Sequence, residues 1–321
     1  MLILTKDDIK KVFSMKDAIS ISKDALRMYS SGKSVVPLRS VINIPKQQAQ
    51  NIFMPAYIDE LNVSGVKIVS VFPTNITVDK PSVTATMLLL DGNTGVVMAM
   101  MNGTYLTQLR TGALQGAATD ILARKDAKIA VLFGTGGQAA SQLEAMLKVR
   151  NLTEIRVCGN NFERAKRFAN AMQYEFSHVD TKIIAVEYGN EAIKDADIIT
   201  TITTSNTPVF DGTLVKKGAH INALGSYLPH MQELPETIIQ RADKIIFDTK
   251  EGVLAEAGDI IIPMKAGKVS ESDFHGELGE VILNRIQGRE NAQEITIFKS
   301  VGTAILDVAT AYHIYRKSLN L

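Results

Sequence analysis

Three cations stand among apolar residues. Lys67 lies inside Val66-Lys67-Ile68-Val69, Arg39 sits between Leu38 and Ser40, and Arg110 falls in Leu106-Thr107-Gln108-Leu109-Arg110-Thr111. Each has two readings. On the wet face of its element it is an ordinary surface charge; turned inward, it is a costly buried cation that needs an anionic partner such as a substrate carboxylate. A second chemistry-bearing stretch is Gly134-Thr135-Gly136-Gly137-Gln138-Ala139, preceded by Lys128-Ile129-Ala130-Val131-Leu132-Phe133 and followed by Leu143, Met146 and Leu147 at helical spacing. Strand, glycine turn and helix in that order suit a pyrophosphate: Gly134 permits the tight turn, Gly136 lets backbone approach the phosphates, and Ala139 packs helix on strand. The amides at the start of the helix, with its dipole behind them, favour an anion. A glycine turn alone often only ends a strand.

The elements around these residues fall into two groups. Thr5 with Asp8 is a capping pattern, Met15 to Tyr29 is loosely amphipathic at helical period, and Gly32 ends it. Strand-like runs follow from Val35 to Ile44, Asn51 to Tyr57 and Val66 to Phe72. Thr84 to Leu90 and Val96 to Met101 flank a hairpin turn at Asp91-Gly92-Asn93-Thr94-Gly95. Leu106 to Leu122 reads as a long helix that carries the chain into a second domain. After the glycine turn, strand and helix alternate: Ile155–Cys158, Glu163–Met172, Lys182–Val186, Asn190–Lys194, Ile198–Ile202, His220–Gly225 and Lys244–Asp248. That rhythm predicts an open, doubly wound parallel sheet. Ala304 to Leu319 is a helix that returns to the first domain. The expected organisation is therefore α/β: residues 1–115 and 304–321 form an α+β domain from both chain ends, and residues 116–303 form a Rossmann domain. Ligands of such sheets lie outside the carboxyl ends of the strands. Thr203-Thr204-Ser205 and Gly225-Ser226-Tyr227 follow strands there, and their hydroxyls either satisfy loop backbone or reach a ligand.

Composition narrows the partners. The chain has 321 residues, and Lys+Arg 35 against Asp+Glu 34 leaves a net charge of +1. That is too weak a field to gather nucleic acid or an anionic membrane, so a small molecule is expected. The single cysteine, Cys158, excludes an internal disulfide, fits a reducing compartment and reads as strand packing. The N-terminal stretch turns acidic too early for a signal peptide, and no apolar run approaches a membrane span. A cytoplasmic location is expected, and no metal.

The segments Phe53-Met54-Pro55-Ala56-Tyr57, Gly65-Val66-Lys67, Leu106-Thr107-x-x-Arg110-Thr111-Gly112-Ala113, Leu122-Ala123-Arg124, Gly134-x-Gly136-x-Gln138, Thr204-Ser205-x-x-Pro208, Asn222-Ala223-x-Gly225 and Phe298-Lys299-Ser300-Val301-Gly302 together resemble the ornithine cyclodeaminase/mu-crystallin family, in family order and over nearly the whole chain. The resemblance implies a homodimer with a dimerisation and substrate domain built from both chain ends. It implies that Arg39, Lys67 and Arg110 hold a substrate carboxylate, that Lys67 also transfers a proton, and that Met54 and Ser82 line the substrate pocket. Thr111, Gly134, Gly136, Gly137 and Gln138 match dinucleotide-binding positions. Thr203, Thr204, Val301 and Gly302 fall toward the nicotinamide, and Asn160 and Ser226 join them as cofactor candidates.

Two departures shape the expected activity. Ornithine cyclodeaminases carry an aspartate where this chain has Tyr227, which points instead to the neighbouring ketimine reductases, pyrroline-2-carboxylate reductases and alanine dehydrogenases. At the end of the second Rossmann strand Cys158 leads into Gly159-Asn160-Asn161 without the expected ribose-binding acid, so NAD or NADP fits, with a slight lean to NADP through Arg164 or Lys166. The expected reaction is hydride transfer between the nicotinamide and the α-carbon of a small 2-imino or 2-amino acid, with a Lys67 pKa lowered by neighbouring cations. A cyclodeaminase that recycles bound NAD and a non-catalytic mu-crystallin-like binder are the alternatives.

Overall fold

The computed structural model describes residues 1–319. The chain divides into two units, one made of Met1–Thr111 and the segment from Thr303 on, the other of Gly112–Gly302.

In the first unit Thr5 caps helix α1 (Lys6–Val12). Its Oγ accepts from the Asp8 amide at 3.3 Å while Asp8 Oδ2 accepts from the Thr5 amide at 3.0 Å. Ser14 and Asp17 repeat the device at α2 (Met15–Ser30). Seven strands follow: β1 (Leu2–Leu4), β2 (Ser34–Val35), β3 (Ser40–Ile44), β4 (Ala49–Ile58), β5 (Val63–Val71), β6 (Val83–Asp91) and β7 (Val97–Asn102). Their order is β1-β7-β6-β5-β4-β2, with β3 also paired to β4. The run from Val35 to Ile44 is split around Pro37, which has no amide to give a ladder. β1 pairs parallel to β7 and was not anticipated, because three residues carry no readable period. Along β4 burial alternates, with Ile52, Met54, Ala56 and Ile58 inward. The C-terminal helix Ala304–Ser318 packs over β4, β5 and β6, and α2 packs on that helix.

Helix α3 (Gly103–Leu122) spans the division, and the second unit holds an eight-stranded sheet: β8 (Ile129–Phe133), β9 (Glu154–Cys158), β10 (Lys182–Ala185), β11 (Ile198–Thr201), β12 (His220–Ala223), β13 (Lys244–Phe247), β14 (Gly276–Glu277) and β15 (Thr296–Lys299). The order is β10-β9-β8-β11-β12-β15-β13-β14, parallel throughout. Helices cover both faces. On β8, Val131 and Phe133 join one apolar layer while Ala130 and Leu132 join the other. Helices α4 (Ala139–Val149) and α5 (Phe162–Glu175) follow β8 and β9. Strand order reverses between β8 and β11, the switch point at which such sheets bind ligands. The sheet extends past β13, the last strand read from the alternation of strands and helices. β15 returns to insert between β12 and β13, and β14 adds an edge.

A polar seam crosses this second core. His220 is fully buried, with Nδ1 2.8 Å from Thr296 Oγ and Nε2 3.0 Å from Asn222 Oδ1, and Asn222 Nδ2 donates to Thr119 Oγ at 3.0 Å. Burial pushes the imidazole pKa down from 6.5 to about 3, helped by the nearby Arg289. The unfolded chain therefore takes up a proton between pH 6.5 and about 3 that the folded chain refuses. Stability from this residue is fully present above pH 6.5 and is lost as pH falls through that window, by on the order of 5 kcal/mol in all. Replacing His220 with Gln should flatten the drop in urea midpoint between pH 7 and pH 4.5, even if the variant starts lower at pH 7. An unchanged slope would remove His220 from the acid transition.

Candidate active site

The first unit gathers its cations on the helix-covered face of the sheet. β5 places Val63, Gly65 and Lys67 on that face by simple alternation. Lys67 is opposite Met54 on β4 and Met87 on β6, so two apolar side chains flank the ammonium within the sheet. Gly65 is small for a reason: a Cβ there would lie 2.7 Å from Leu88 O and 3.2 Å from Val308 Cγ2 on the C-terminal helix. Its absence lets that helix close on β5, which brings Asp307 over Lys67. Lys67 Nζ donates to both Asp307 oxygens at 2.8 Å, and Arg110 Nε donates to Asp307 Oδ1 at 2.9 Å. Lys67 is 1 % exposed, Arg110 6 % and Asp307 0 %.

The buried cation read from the sequence is therefore real, but its anionic partner belongs to the chain itself. Burial lowers the Lys67 pKa from 10.5 to about 7, the Arg110 charge lowers it further, and Asp307 opposes both; Arg39 adds a smaller lowering. Lys67 is thus divided between ammonium and amine near neutral pH. Arg110 spends only its Nε on Asp307, leaving the fork of its guanidinium for another acceptor. Arg39 is partly buried and immediately precedes β3 rather than lying inside a strand. With Lys67 protonated, Lys67 and Arg110 place two positive charges on the carboxylate of Asp307, an arrangement suited to a further anion.

Met54 is 5 % exposed beside Lys67, whereas Ser82 is not brought to this group. Ser82 is exposed ahead of β6, with its carbonyl accepting from the Phe72 amide at 2.7 Å. It is five register steps from Met87, roughly 17 Å along the strand. Asp307 was missed in the sequence. Its signal is a lone acid within Ala304-Ile305-Leu306-Asp307-Val308-Ala309, a helix otherwise apolar there.

In the second unit a cavity of about 480 Å³ opens at the switch point, lined by the turns after β8, β9 and β11 and by the segment after β10. Gly134 has φ +112°, and a Cβ on it would lie 2.6 Å from Ile202 O. Gly136 has no atom within 4 Å of where its Cβ would be, so a ligand can approach the main chain directly. Gln138 caps α4 without a side-chain hydrogen bond, and its Oε1 is buried without a partner. An uncapped eleven-residue helix behind an open glycine turn fits the pyrophosphate of a dinucleotide. The volume lies within the usual range for small-ligand sites.

Asn160 is exposed in the lining, and Arg164 there donates through Nη2 to Thr135 O at 3.3 Å. Cys158 also lines the cavity, but burial raises its pKa and leaves it a thiol. Thr203 and Thr204 reach the lining. Gly137 sits exposed on the turn beside Gly136. Thr111 donates its hydroxyl to Thr107 O at 2.7 Å, within α3.

Ser226 is used inside the fold: fully buried, it donates to Met231 O at 2.8 Å and accepts from the Asp259 amide at 3.3 Å. Val301 and Gly302 follow β15, where Gly302 N donates to Asp248 Oδ2 at 2.9 Å. Beneath the edge of the sheet lies a framework that the sequence did not reveal. Glu233 accepts from Thr203 N at 2.5 Å and Gly225 N at 2.7 Å, and Lys299 Nζ donates to Asp259 Oδ2 at 2.9 Å. Burial and the nearby Asp259 raise the Glu233 pKa.

A doubly wound parallel sheet with a glycine turn and an uncapped helix at its switch point defines a Rossmann-type protein. Residues 1–320 match the ornithine cyclodeaminase/mu-crystallin family, and the chain belongs to that family. It is 38% identical over 319 residues to a Δ(1)-pyrroline-2-carboxylate reductase of Bacillus cereus, covering 99% of this chain and 97% of that protein. The structure of Thermococcus litoralis Δ(1)-pyrroline-2-carboxylate reductase in complex with NADH and L-proline matches with a TM-score of 0.94 and 42% identity, covering 100% of this chain and 98% of the other. An archaeal alanine dehydrogenase dimer with bound NAD matches with a TM-score of 0.91 and 35% identity, covering 100% and 96%. Both of these structures hold NAD in one redox state or the other. The lean toward NADP drawn from the missing ribose-binding acid finds no support in them.

Proposed function

We propose that this protein is an NADH-dependent reductase of a small cyclic 2-imino acid of the Δ(1)-pyrroline-2-carboxylate type, acting as a homodimer in the cytoplasm. The observation that carries the reading is the buried Lys67, half-deprotonated near pH 7 beside the uncommitted fork of Arg110, in a chain 42% identical to a reductase solved with NADH and L-proline. The fork of Arg110 and the nearby Arg39 hold the substrate carboxylate. NADH, when bound, supplies the hydride. Lys67, as ammonium, gives a proton to the imine nitrogen and is left as an amine, so the C=N double bond becomes C–H and N–H with charge in balance. The amine form is tolerated because it is already near-isoenergetic with the ammonium at that pH.

Tyr227 in place of the cyclodeaminase aspartate counts against ring closure from ornithine, and the cation group counts against a purely binding role. NADPH is proposed as a second cofactor, since Asn160 at the end of β9 carries no charge to repel a 2′-phosphate and Arg164 lies in the same lining. The homodimer is supported by the sheet face opposite the C-terminal helix. There Ile3, Met100, Leu88, Val66 and Pro55 form a cross-strand apolar row, none of them buried within the chain. Among the described residues no helix is long and apolar enough to cross a membrane.

The test is a turnover assay with Δ(1)-pyrroline-2-carboxylate, its six-membered homologue, pyruvate with ammonia, and L-ornithine, each with NADH and with NADPH. Oxidation of NADH by a cyclic ketimine is the expected result. Ammonia release from ornithine without net nicotinamide change, or no turnover on any imino acid despite dinucleotide binding, would overturn the proposal.

A further inference from the structure

A buried ion pair is a poor source of stability, because desolvating both charges offsets most of their attraction. Lys67 and Asp307 nonetheless meet at the centre of the first unit, 240 residues apart in the chain, with both carboxylate oxygens on one ammonium. Met54 and Met87, the neighbours of Lys67 in the sheet, show that this layer accepts an apolar side chain of similar length. The charged groups facing Lys67 come from three other places: Arg110 on α3, Arg39 ahead of β3, and Asp307 on the C-terminal helix. Two repel its proton, and one retains it.

We infer that Asp307 is a positioning residue for the proton step: its carboxylate fixes the Lys67 rotamer and supplies negative charge that keeps the ammonium protonated beside Arg110. The inference rests on the reductase reading for what the proton is used for, but not for the pairing itself. Two hydrogen bonds to Asp307 account for two of the three ammonium protons and leave the third for a substrate atom. The shared Oδ1 ties Arg110 to the same carboxylate, so one acid orients both the proton donor and a carboxylate-binding fork. Without Asp307, Lys67 would keep the repulsion of Arg110 and lose the carboxylate that its ammonium pairs with, and would rest as an amine with no proton to give.

The experiment follows the Lys67 side chain by NMR in protein carrying 13C at the lysine ε-carbons, with Lys67→Met assigning the resonance. Wild-type Lys67 is expected to titrate near neutrality, and in Asp307→Asn to titrate about one to three pH units lower. In the same variant the kcat/KM profile for the ketimine moves to lower pH, and activity above the wild-type titration point falls about tenfold for each pH unit by which the profile moves. A purely structural role would lower activity equally at every pH and leave the titration in place, which would overturn the inference. Should Asp307→Asn fail to fold, Arg110→Met and Arg110→Met/Asp307→Asn are compared instead. The double variant removes one charge of each sign, and its Lys67 must titrate at least about one pH unit below that of Arg110→Met; equal titrations overturn the inference. The NMR arm needs no turnover, so a failed ketimine assay with a displaced Lys67 titration would reject the substrate and keep the role of Asp307.

Discussion

Lys67→Met is expected to lower kcat/KM for the imino acid by about 10²- to 10⁴-fold, the usual worth of a positioned general acid. The dinucleotide Kd should stay within about threefold, since the described residues lining the cavity at the switch point belong to the second unit. Stability should not fall on balance. Methionine fits between Met54 and Met87, and Asp307 keeps the hydrogen bond from Arg110 Nε on Oδ1, while the donor lost from Oδ2 is offset by relief of the buried ammonium. The wild type bears a cost the variant lacks: the Lys67 pKa is about 7 when folded against 10.5 in its ordinary state. The unfolded chain holds that proton through the window and the folded chain does not. The destabilisation is therefore complete below about pH 7 and fades as pH rises toward 10.5. Thermal melts at pH 7 and pH 9.5 should show the variant at or above the wild type at the lower pH, with the gap narrowing at the higher one. Retained turnover would remove Lys67 from the chemistry, and a variant that melts lower at pH 7 would refute the stability account.

Gly134→Ala is expected to weaken dinucleotide binding by about 10²-fold and lower the melting temperature by several degrees. The φ of +112° is outside what an L-residue adopts without strain, and the new Cβ meets Ile202 O at 2.6 Å and Ile202 C at 3.1 Å. Both are main-chain atoms, so no side-chain rotation relieves the contact. The turn after β8 and the exit of β11 must part, and Thr203, the residue after Ile202, moves with them. Gly136→Ala separates the two effects. Nothing lies within 4 Å of its Cβ position, so its melting temperature should hold while the methyl group, now where main chain would meet phosphate, still costs affinity. Equal behaviour of the two variants in calorimetry and melting would contradict this division between strain and ligand contact.

How far the site was legible depended on whether its signal was local. Lys67 stood out as a charge among Val66, Ile68 and Val69, and the glycine turn carried its own context of strand before and helix after. Arg110 sits on α3 as expected, and the parallel sheet of the second unit follows from the alternation of strands and helices. Asp307 was out of reach because its partner is far away in sequence, and a single acid in an apolar helix does not name what it faces. β15 was overlooked for a related reason. Thr296-Ile297-Phe298-Lys299 is short and carries a lysine, and only the pairing between β12 and β13 shows that Lys299 is buried against Asp259. Ser82, suggested by family position, and Ser226, suggested by its place after a strand, show what such signals omit: one is exposed well away from the cations, and the other has its hydroxyl committed internally.

The helix that seals the first sheet is made only after the whole of the second unit. Until residues beyond 303 emerge, Val63, Met54 and Met87 lack the cover of that helix, and Lys67 lacks Asp307. The nascent chain therefore carries an apolar, cationic surface through the synthesis of the whole nucleotide-binding unit, a period of tens of seconds at ordinary elongation rates of about 5–20 residues per second. That order of assembly predicts chaperone demand during translation and poor recovery of chains truncated before residue 304.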